Sequence, residues 1–330
     1  MTARERFLTV LNGGLPDDRL PMVEWAAWWW DQTIARWIKE GFPSDLNFVT
    51  SQQYFGLDEL HCIGCSPRVP HASGHGLGVI ENEGDYEKLR KNMYPDEAVE
   101  GLVNAAKGLK PRHDNGEIII RIWLDGFFWF PRRLFGIEPH LFAFYDYPDL
   151  MSEITKDLCD FNMKALQALF TVMKPDFVGY GEDMSYNHGP MLSEECFDKF
   201  MMQHYLTLNN FTHENGVKAL TDSDGDITVM IPWFNKSGID GVYPLERQAN
   251  VDIVKIREEY PNFIMLGGYD KMVMNKGEEA IRGEFERILP VMKSSYYIPS
   301  VDHQTPPGVS FEDYKIYIRL FREYCEKAVR

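Results

Sequence analysis

The sequence predicts an α/β protein folded as one (β/α)₈ barrel domain over residues 1–330. From about residue 175 onward, short β-branched or apolar runs alternate with longer amphipathic segments, a pattern typical of parallel strand–helix–strand units. The length of 330 residues suits a single barrel. No linker, short-period repeat or low-complexity tract divides the chain, so we expect one domain.

The amino-terminal half contains the less regular strand candidates. Residues 21–27 (PMVEWAA) and 118–124 (IIIRIWL) are predicted as the first and third strands. Residues 40–116 hold a glycine-rich run and a charged run, which indicate an early barrel unit that carries a hairpin or long loop. Residues 148–173 have apolar positions at helical spacing and predict a long helix.

The carboxyl-terminal half contains five strand candidates in succession. They are residues 176–181, 217–221, 239–245, 263–267 and 296–301. Amphipathic segments between them, such as 193–215 and 253–260, are long enough to cross back over a parallel sheet.

Charge and composition exclude several classes of protein. The formal net charge of −16, with no basic stripe, argues against nucleic acid as a partner. The first residues are charged rather than apolar, and no run approaches the roughly 18 apolar residues of a membrane span, so we expect a cytoplasmic protein. The five cysteines are too few for a disulfide framework. His61, Cys62 and Cys65 have local metal-ligand spacing but lack a second pair, and we favour free thiols there.

Acidic residues follow nearly every predicted strand. Because the carboxyl ends of barrel strands converge on the active site, these acids are candidate functional groups. They are Glu24, Glu182, Asp183, Asp222, Asp224, Asp226, Glu246, Asp270 and Asp302, with His303 beside the last. Aspartate after a strand is also a common helix N-cap, and we favour that interpretation for Asp183, Asp226 and Asp270.

The group as a whole predicts a bound cation. Two carboxylates about 4 Å apart repel by roughly 4 kcal/mol at an effective dielectric near 20, so converging ones need a proton, a metal ion or a cationic ligand. Asp222 and Asp224 share one face of an extended segment, and His303 would add a nitrogen ligand. We expect Glu182, Asp222, Asp224 and His303 to be both catalytic and metal-binding, with zinc, or else manganese or iron. The alternative for His303 is a hydrogen bond to Asp302 or to the backbone.

Aromatic residues form a second cluster of candidates. Most should be core, and a few could line the mouth of a pocket for a small organic molecule or a quaternary ammonium group. They are Trp25, Trp28, Trp29, Trp30, Trp123, Phe127, Phe128, Trp129 and Phe130.

Several segments together resemble the uroporphyrinogen decarboxylase superfamily. They are RERFLTVLNGGLPDDRLPM, GEDMSYNHGPMLS, TDSDGDI, GIDGVYPLE, MLGGYDK and YIPSVDHQTPPGVSFEDY. The superfamily contains cofactor-free porphyrinogen decarboxylases and zinc-dependent methyltransferases that serve corrinoid proteins. The decarboxylases carry an arginine-rich amino-terminal segment, whereas this chain has PMVEWAAWWW there, so the resemblance favours the methyltransferases.

Within the methyltransferases, the resemblance indicates a particular branch. Enzymes of the coenzyme M type hold zinc with a His-x-Cys pair and a later cysteine, which here look replaced by Asp222 and Asp224 and by Asp302 or His303. The resemblance therefore implies O-demethylase-like methyl transfer from a methoxylated aromatic or similar donor to a corrinoid on a separate protein. A homodimer is left open.

The residues expected to bind or orient the substrate surround this predicted metal site. They are Glu24, Trp25, Trp123, Tyr180, Asn187, His188 and Glu246. Two rival functions stay open: a lyase or decarboxylase that acts on a small substrate without a corrinoid, and a non-catalytic barrel that binds a methylated amine.

Overall fold

The protein is an α/β structure organised around one parallel sheet of seven strands. The computed structural model describes residues 1–26, 29–72, 74 and 76–330. The strands are β1 Leu60–Cys65, β2 Ile119–Asp125, β3 Phe177–Gly181, β6 Lys218–Asp222, β7 Gly241–Tyr243, β8 Ile264–Tyr269 and β9 Tyr297–Val301. Their order in the sheet is β1-β2-β3-β6-β7-β8-β9, and every neighbouring pair is parallel. A small antiparallel hairpin, β4 Ser185–Tyr186 and β5 Gly189–Pro190, follows β3.

Helices connect the strands. Within the described residues they are α1 Ala3–Leu11, α2 Asp31–Lys39, α3 Phe48–Tyr54, α4 Glu83–Met93, α5 Asp96–Asp114, α6 Trp129–Phe135, α7 Pro139–Asp146, α8 Pro148–Phe170, α9 Glu194–Phe197, α10 Gln203–Glu214, α11 Ile231–Lys236, α12 Ile253–Glu259, α13 Glu278–Met292 and α14 Phe311–Lys327. The predicted helix 193–215 forms in two parts, α9 and α10, joined by a π-helical turn at Asp198–Met202. None of the described helices is both long enough and apolar enough to span a bilayer.

The predicted strands from the third onward are confirmed to within a few residues. The sixth, predicted at 239–245, is shorter because Pro244 lacks an N–H group and Leu245 has a positive φ of 68°. The early unit in residues 40–116 contains β1, and the described residues between β1 and α4 (66–72, 74 and 76–82) form no helix or extended strand.

The predicted first strand is wrong for the part that the structure describes, residues 21–26. This segment lies between β9 and β1, but two of its backbone N–H groups donate to side chains rather than to the backbone of a neighbouring strand. The Asp58 carboxylate accepts from the Met22 amide at 2.8 Å, and the Ser300 hydroxyl accepts from the Trp25 amide at 3.2 Å. The described residues therefore form seven parallel strands rather than a closed barrel of eight, and the segment 21–26 joins the two edges of the curled sheet.

Candidate active site

A cavity of about 220 Å³ opens at the carboxyl ends of the strands, where the barrel rule places a site. The indole rings of Trp25, Trp123 and Trp129 form much of its wall. The polar part of its lining includes Asp183, Asp222, Asp224 and His303. The cavity thus combines an aromatic wall with an acidic rim, as the sequence predicted.

The acidic residues and His303 form two overlapping groups of potential metal ligands. In one, carboxylate oxygens of Asp183, Asp222 and Asp224 lie within 4.8 Å of one another. In the other, Asp224, Glu246 and the His303 imidazole meet the same limit. Asp224 belongs to both groups, and its Oδ2 lies 3.5 Å from His303 Nε2. We refer to these five residues as the acidic cluster.

Loop contacts hold the acidic cluster together. Asp222 ends β6, and its carbonyl oxygen accepts hydrogen bonds from the amides of Glu182 at 2.9 Å and Asp183 at 3.2 Å. Gly225 turns the next loop with φ of 84°, and a Cβ atom there would lie 2.6 Å from the Tyr186 amide nitrogen. The Gly225 amide also donates to Glu246 Oε2 at 3.0 Å, which ties the loops after β6 and β7.

Burial and mutual repulsion make the charged forms of these acids costly. Burial, and next the charge of Asp224, raise the pKa of Asp183 to about 6. Burial, and next the charges of Asp183 and Asp224, raise the pKa of Asp222 well above its usual range. Burial alone would lower the pKa of His303, but its hydrogen bond to Asp224 and the nearby negative charges raise it. The cluster therefore favours any species that brings positive charge.

Glu182 does not join this cluster, although it was predicted as a ligand. Its Oε1 accepts from the Phe127 amide at 2.6 Å, and its Oε2 accepts from the amides of Phe128 at 2.7 Å and Trp129 at 3.0 Å. Gly126 leaves room for the carboxylate, since a Cβ atom there would lie 2.0 Å from the Glu182 Cδ. Burial raises the pKa of Glu182 to about 8, against the effect of the three amides. Glu182 lines the cavity, but its oxygens are used by the amides at the start of α6 and lie outside both groups of potential metal ligands.

Asp302 is likewise occupied by the protein itself. Its oxygens accept from the Arg247 amide at 3.0 Å, the Lys271 amide at 3.1 Å and Lys271 Nζ at 3.3 Å. Of the two residues expected to replace the final cysteine ligand, only His303 reaches the acidic cluster. The alternative role of His303 as a partner of Asp302 is not what the structure shows.

The helix-cap interpretation holds for two of the three aspartates. The Asp226 carboxylate accepts from the Thr228 amide at 3.0 Å, and that of Asp270 accepts from the Met272 amide at 2.8 Å. It is wrong for Asp183, because strand β4 rather than a helix follows it and its carboxylate lies in the cluster.

Four residues expected to contact the substrate lie away from the cavity wall. Tyr180 is fully buried and donates to Asn209 Oδ1 at 2.9 Å. Glu24 is fully buried and accepts from the Tyr317 hydroxyl at 2.6 Å. Asn187 and His188 lie at the exposed tip of the β4–β5 hairpin. Trp25, Trp123 and Glu246 do lie at the cavity or the cluster.

Most of the other aromatic residues are core, as expected. Phe127, Phe128 and Phe130 are fully buried, and Trp29 packs edge-on against Phe55. Trp30 is half exposed and stacks on the His303 imidazole with ring centroids 6.3 Å apart. Trp28 lies outside the described residues.

The cysteines of the early motif are free thiols. Cys62 is exposed and Cys65 is buried. They are three positions apart on β1, so the alternation of a strand directs them to opposite faces. His61 Nε2 lies 3.1 Å from Glu59 Oε2, and the described residues place neither thiol in a group of potential metal ligands.

Arg121 is the site residue that sequence reasoning missed. It lies in β2, is 5% exposed and lines the cavity. The available signal was a charged residue within an otherwise apolar strand, IIIRIWL.

A carboxylate-rich cluster beside an aromatic cavity, at the carboxyl ends of a parallel α/β sheet, defines a barrel-type active site. The chain belongs to the uroporphyrinogen decarboxylase (URO-D) family, whose model matches residues 79–324. No curated protein matches the chain.

Solved structures give the fold relationship. A methyltransferase from Methanosarcina mazei aligns over 98% of this chain and 99% of its own, with 15% identity and a TM-score of 0.67. A candidate vitamin-B12 independent methionine synthase from Listeria monocytogenes aligns over 93% of this chain and 97% of its own, with 11% identity and a TM-score of 0.45. The first of these shows the same fold.

Proposed function

We propose that this protein is a metal-assisted methyltransferase that moves a methyl group from a small methoxylated aromatic, or a similar donor, to the cobalt of a separate corrinoid protein. The convergence of Asp222, Asp224 and His303 beside tryptophan rings carries the proposal. Membership of the URO-D family and the fold shared with a protein named a methyltransferase support it.

The residues present fit a divalent metal ion. The Asp222 side chain is nine-tenths buried yet receives no hydrogen bond from the described residues, and burial with the charges of Asp183 and Asp224 raises its pKa despite the opposing charge of Arg121. Carboxylates with one imidazole suit zinc, manganese or iron. Asp222, Asp224 and His303 would hold the ion, with Asp183 and Glu246 beside them. When bound, the ion would act as a Lewis acid on the ether oxygen.

The chemistry to be assisted is displacement at a methyl carbon. Cobalt(I) supplies the electron pair of the new cobalt–carbon bond, and the carbon–oxygen bond breaks with its pair left on the oxygen, which ends protonated. The acidic cluster is placed to bring a proton or a cation to that oxygen. Trp25, Trp123 and Trp129 would hold the ring and exclude water.

We assign the corrinoid to a partner protein. The 330 residues contain no Asp-x-His-x-x-Gly motif, which corrinoid-binding proteins use. The cavity opens at the carboxyl ends of the strands, so the partner would dock over that face.

The test combines metal analysis with a demethylation assay, using free cob(I)alamin as acceptor. We expect Asp224→Ala and His303→Ala each to lower metal content and to reduce turnover of methoxylated aromatics at least about 100-fold. Asp270→Ala is the matched control, because this strand-end acid caps a helical turn and should leave both quantities unchanged.

Three results would contradict the proposal. Full metal content and turnover in both variants would remove its basis. Substrate consumption without cobalamin would favour the lyase or decarboxylase, and tight binding of a methylated amine without any turnover would favour the binding protein.

A further inference from the structure

We infer that the guanidinium group of Arg121 binds a carboxylate of the substrate, so that the donor is a methoxylated aromatic acid rather than a neutral ether. The identity of the donor as a methyl ether rests on the proposed function. The anion site itself does not depend on it.

Arg121 is a buried cation that forms no ion pair at contact distance among the described residues, although the more distant charge of Asp222 helps to raise its pKa. Its Nε and Nη1 atoms have no hydrogen-bond partner, and among the described residues no carboxylate lies within 4.0 Å of it. Arg6 is equally buried, at 6% exposed, but pairs with both Asp18 and Asp58. The same chain thus provides carboxylates for one buried guanidinium and none for the other.

The neighbours of Arg121 do not replace an anion. Its Cζ atom lies 5.8 Å from the centroid of the Trp123 ring and 5.2 Å from that of Tyr243. Ring faces attract the charge, but they do not satisfy the N–H groups that point along the plane of the guanidinium. The Tyr243 hydroxyl and the Cys62 thiol are the polar side chains nearest the guanidinium, but neither satisfies its Nε or Nη1 atom with a hydrogen bond of ordinary geometry. Because arginine keeps its proton, these N–H groups are available to an anion in the cavity.

The α-carbon of Arg121 lies deeper in the sheet than that of Asp222, although the charge of each residue affects the pKa of the other. In the sheet, Arg121 pairs with Phe177 at the start of β3, whereas Asp222 pairs with Gly181 at its end. Their α-carbons therefore lie roughly 13 Å apart along the strands, at about 3.3 Å per residue. Arg121, three tryptophans and the acids Asp183, Asp222 and Asp224 all line this one cavity. An aromatic ring that carries both an ether and a carboxylate offers one group to the acids and one to the guanidinium.

The probe is benzoate, compared with its neutral analogue benzamide, by calorimetry on the metal-free protein. Because a charge-assisted bidentate pair with arginine outweighs a neutral contact, we expect benzoate to bind roughly 10- to 100-fold more tightly. Arg121→Met should abolish this preference, and Arg121→Lys should keep part of it. Arg68→Met is the control, because Arg68 is an exposed arginine in the loop after β1.

Equal binding of benzoate and benzamide by the native protein would overturn the inference, whether or not the variants fold. It would also fail if benzoate bound only after metal was added and did so equally well to Arg121→Met, since the carboxylate would then sit on the metal. Absence of demethylation together with Arg121-dependent benzoate binding would contradict the proposed function alone.

Discussion

Acidic residues lie at both ends of the strands, and the two sets have different surroundings. Asp58, Asp176 and Asp240 lie just before β1, β3 and β7. Each accepts a hydrogen bond from a backbone amide and forms a salt bridge with at least one basic side chain. Asp176, for example, contacts Arg4 Nε at 2.7 Å and His113 Nε2 at 3.0 Å.

Three acids of the cluster at the carboxyl ends differ from these, although Asp302 at the same ends pairs with Lys271. Among the described residues, Asp183, Asp222 and Asp224 have no lysine or arginine within 4.0 Å, and His303 is the basic group that Asp224 meets. The position of an acid next to a strand therefore does not show by itself whether the residue is structural or functional. An acid with several protein donors stabilises the fold, whereas an acid without them is available to bind a ligand.

We call Asp58, Asp176 and Asp240 the lower set and Asp183, Asp222 and Asp224 the upper set. The largest effect should come from removing a charge of the lower set. Asp176→Asn leaves Arg4 and His113 without their charged partner, and we expect the free energy of unfolding to fall by about 3–5 kcal/mol. Urea denaturation of the metal-free protein at pH 7 measures it. Asp222→Asn, the matched change in the upper set, should not destabilise the protein. Equal losses in both variants would mean that the two sets do not differ.

Glu182 tests the same comparison, because it lies at the carboxyl ends of the strands like the upper set but accepts hydrogen bonds from backbone amides like the lower set. Glu182→Ala removes the oxygens that accept from three backbone amides, whether the carboxyl group is ionised or protonated, and we expect a loss of about 1–3 kcal/mol in unfolding free energy. Metal content should stay unchanged. Glu138→Ala on the exposed loop after α6 is the control. Loss of metal with intact stability would return Glu182 to the ligand set.

The pH dependence of stability should separate the upper set further. Because the pKa of Asp183 is raised from 3.8 to about 6, the folded state keeps a proton that the unfolded chain releases, so this residue costs stability as pH rises from about 4 through 6. Asp183→Asn should therefore stabilise the metal-free protein by roughly 1–3 kcal/mol at pH 8 and by little at pH 4.

Denaturation of the native protein and the variant in chelator, at both pH values, measures this difference. Added zinc should remove or reverse the advantage of the variant. A gain that is the same at both pH values would contradict the assigned pKa shift.

The smallest effect is expected at His188. Its imidazole lies at the exposed tip of the β4–β5 hairpin and packs against the Tyr186 ring, with the two ring centroids 5.7 Å apart. His188→Ala should change stability by less than about 0.5 kcal/mol and leave kcat/KM for demethylation unchanged. His303→Ala provides the contrast. A clear rise in KM for His188→Ala would restore its predicted role with the substrate.

The sequence was sufficient for much of the fold because strand and helix periods differ. The buried runs around Ile119–Asp125 and Phe177–Gly181 were located within a residue or two. Residues 21–26 have the same apolar character, but their hydrogen bonds go to Asp58 and Ser300 side chains, and no local pattern shows that.

For the site, convergence of strand ends was enough to predict that Asp224 lies close to Asp222 in one group of acids and close to His303 in the other. It could not separate Glu182 from Asp183, because the direction of each side chain depends on the loop, where Asp183 takes φ of 45°. Arg121 escaped notice because β2 is almost entirely buried, so alternation gave no clue to which residues face the cavity.

The bonds made by Asp302 have a consequence for selectivity. This one carboxylate holds the amides of Arg247 and Lys271, and it directly precedes His303 along the chain. The loops that carry Glu246 and His303 therefore share one anchor. In a metal site of the kind proposed above, such preorganisation would make the choice among divalent ions depend on the ligand spacing that this anchor sets.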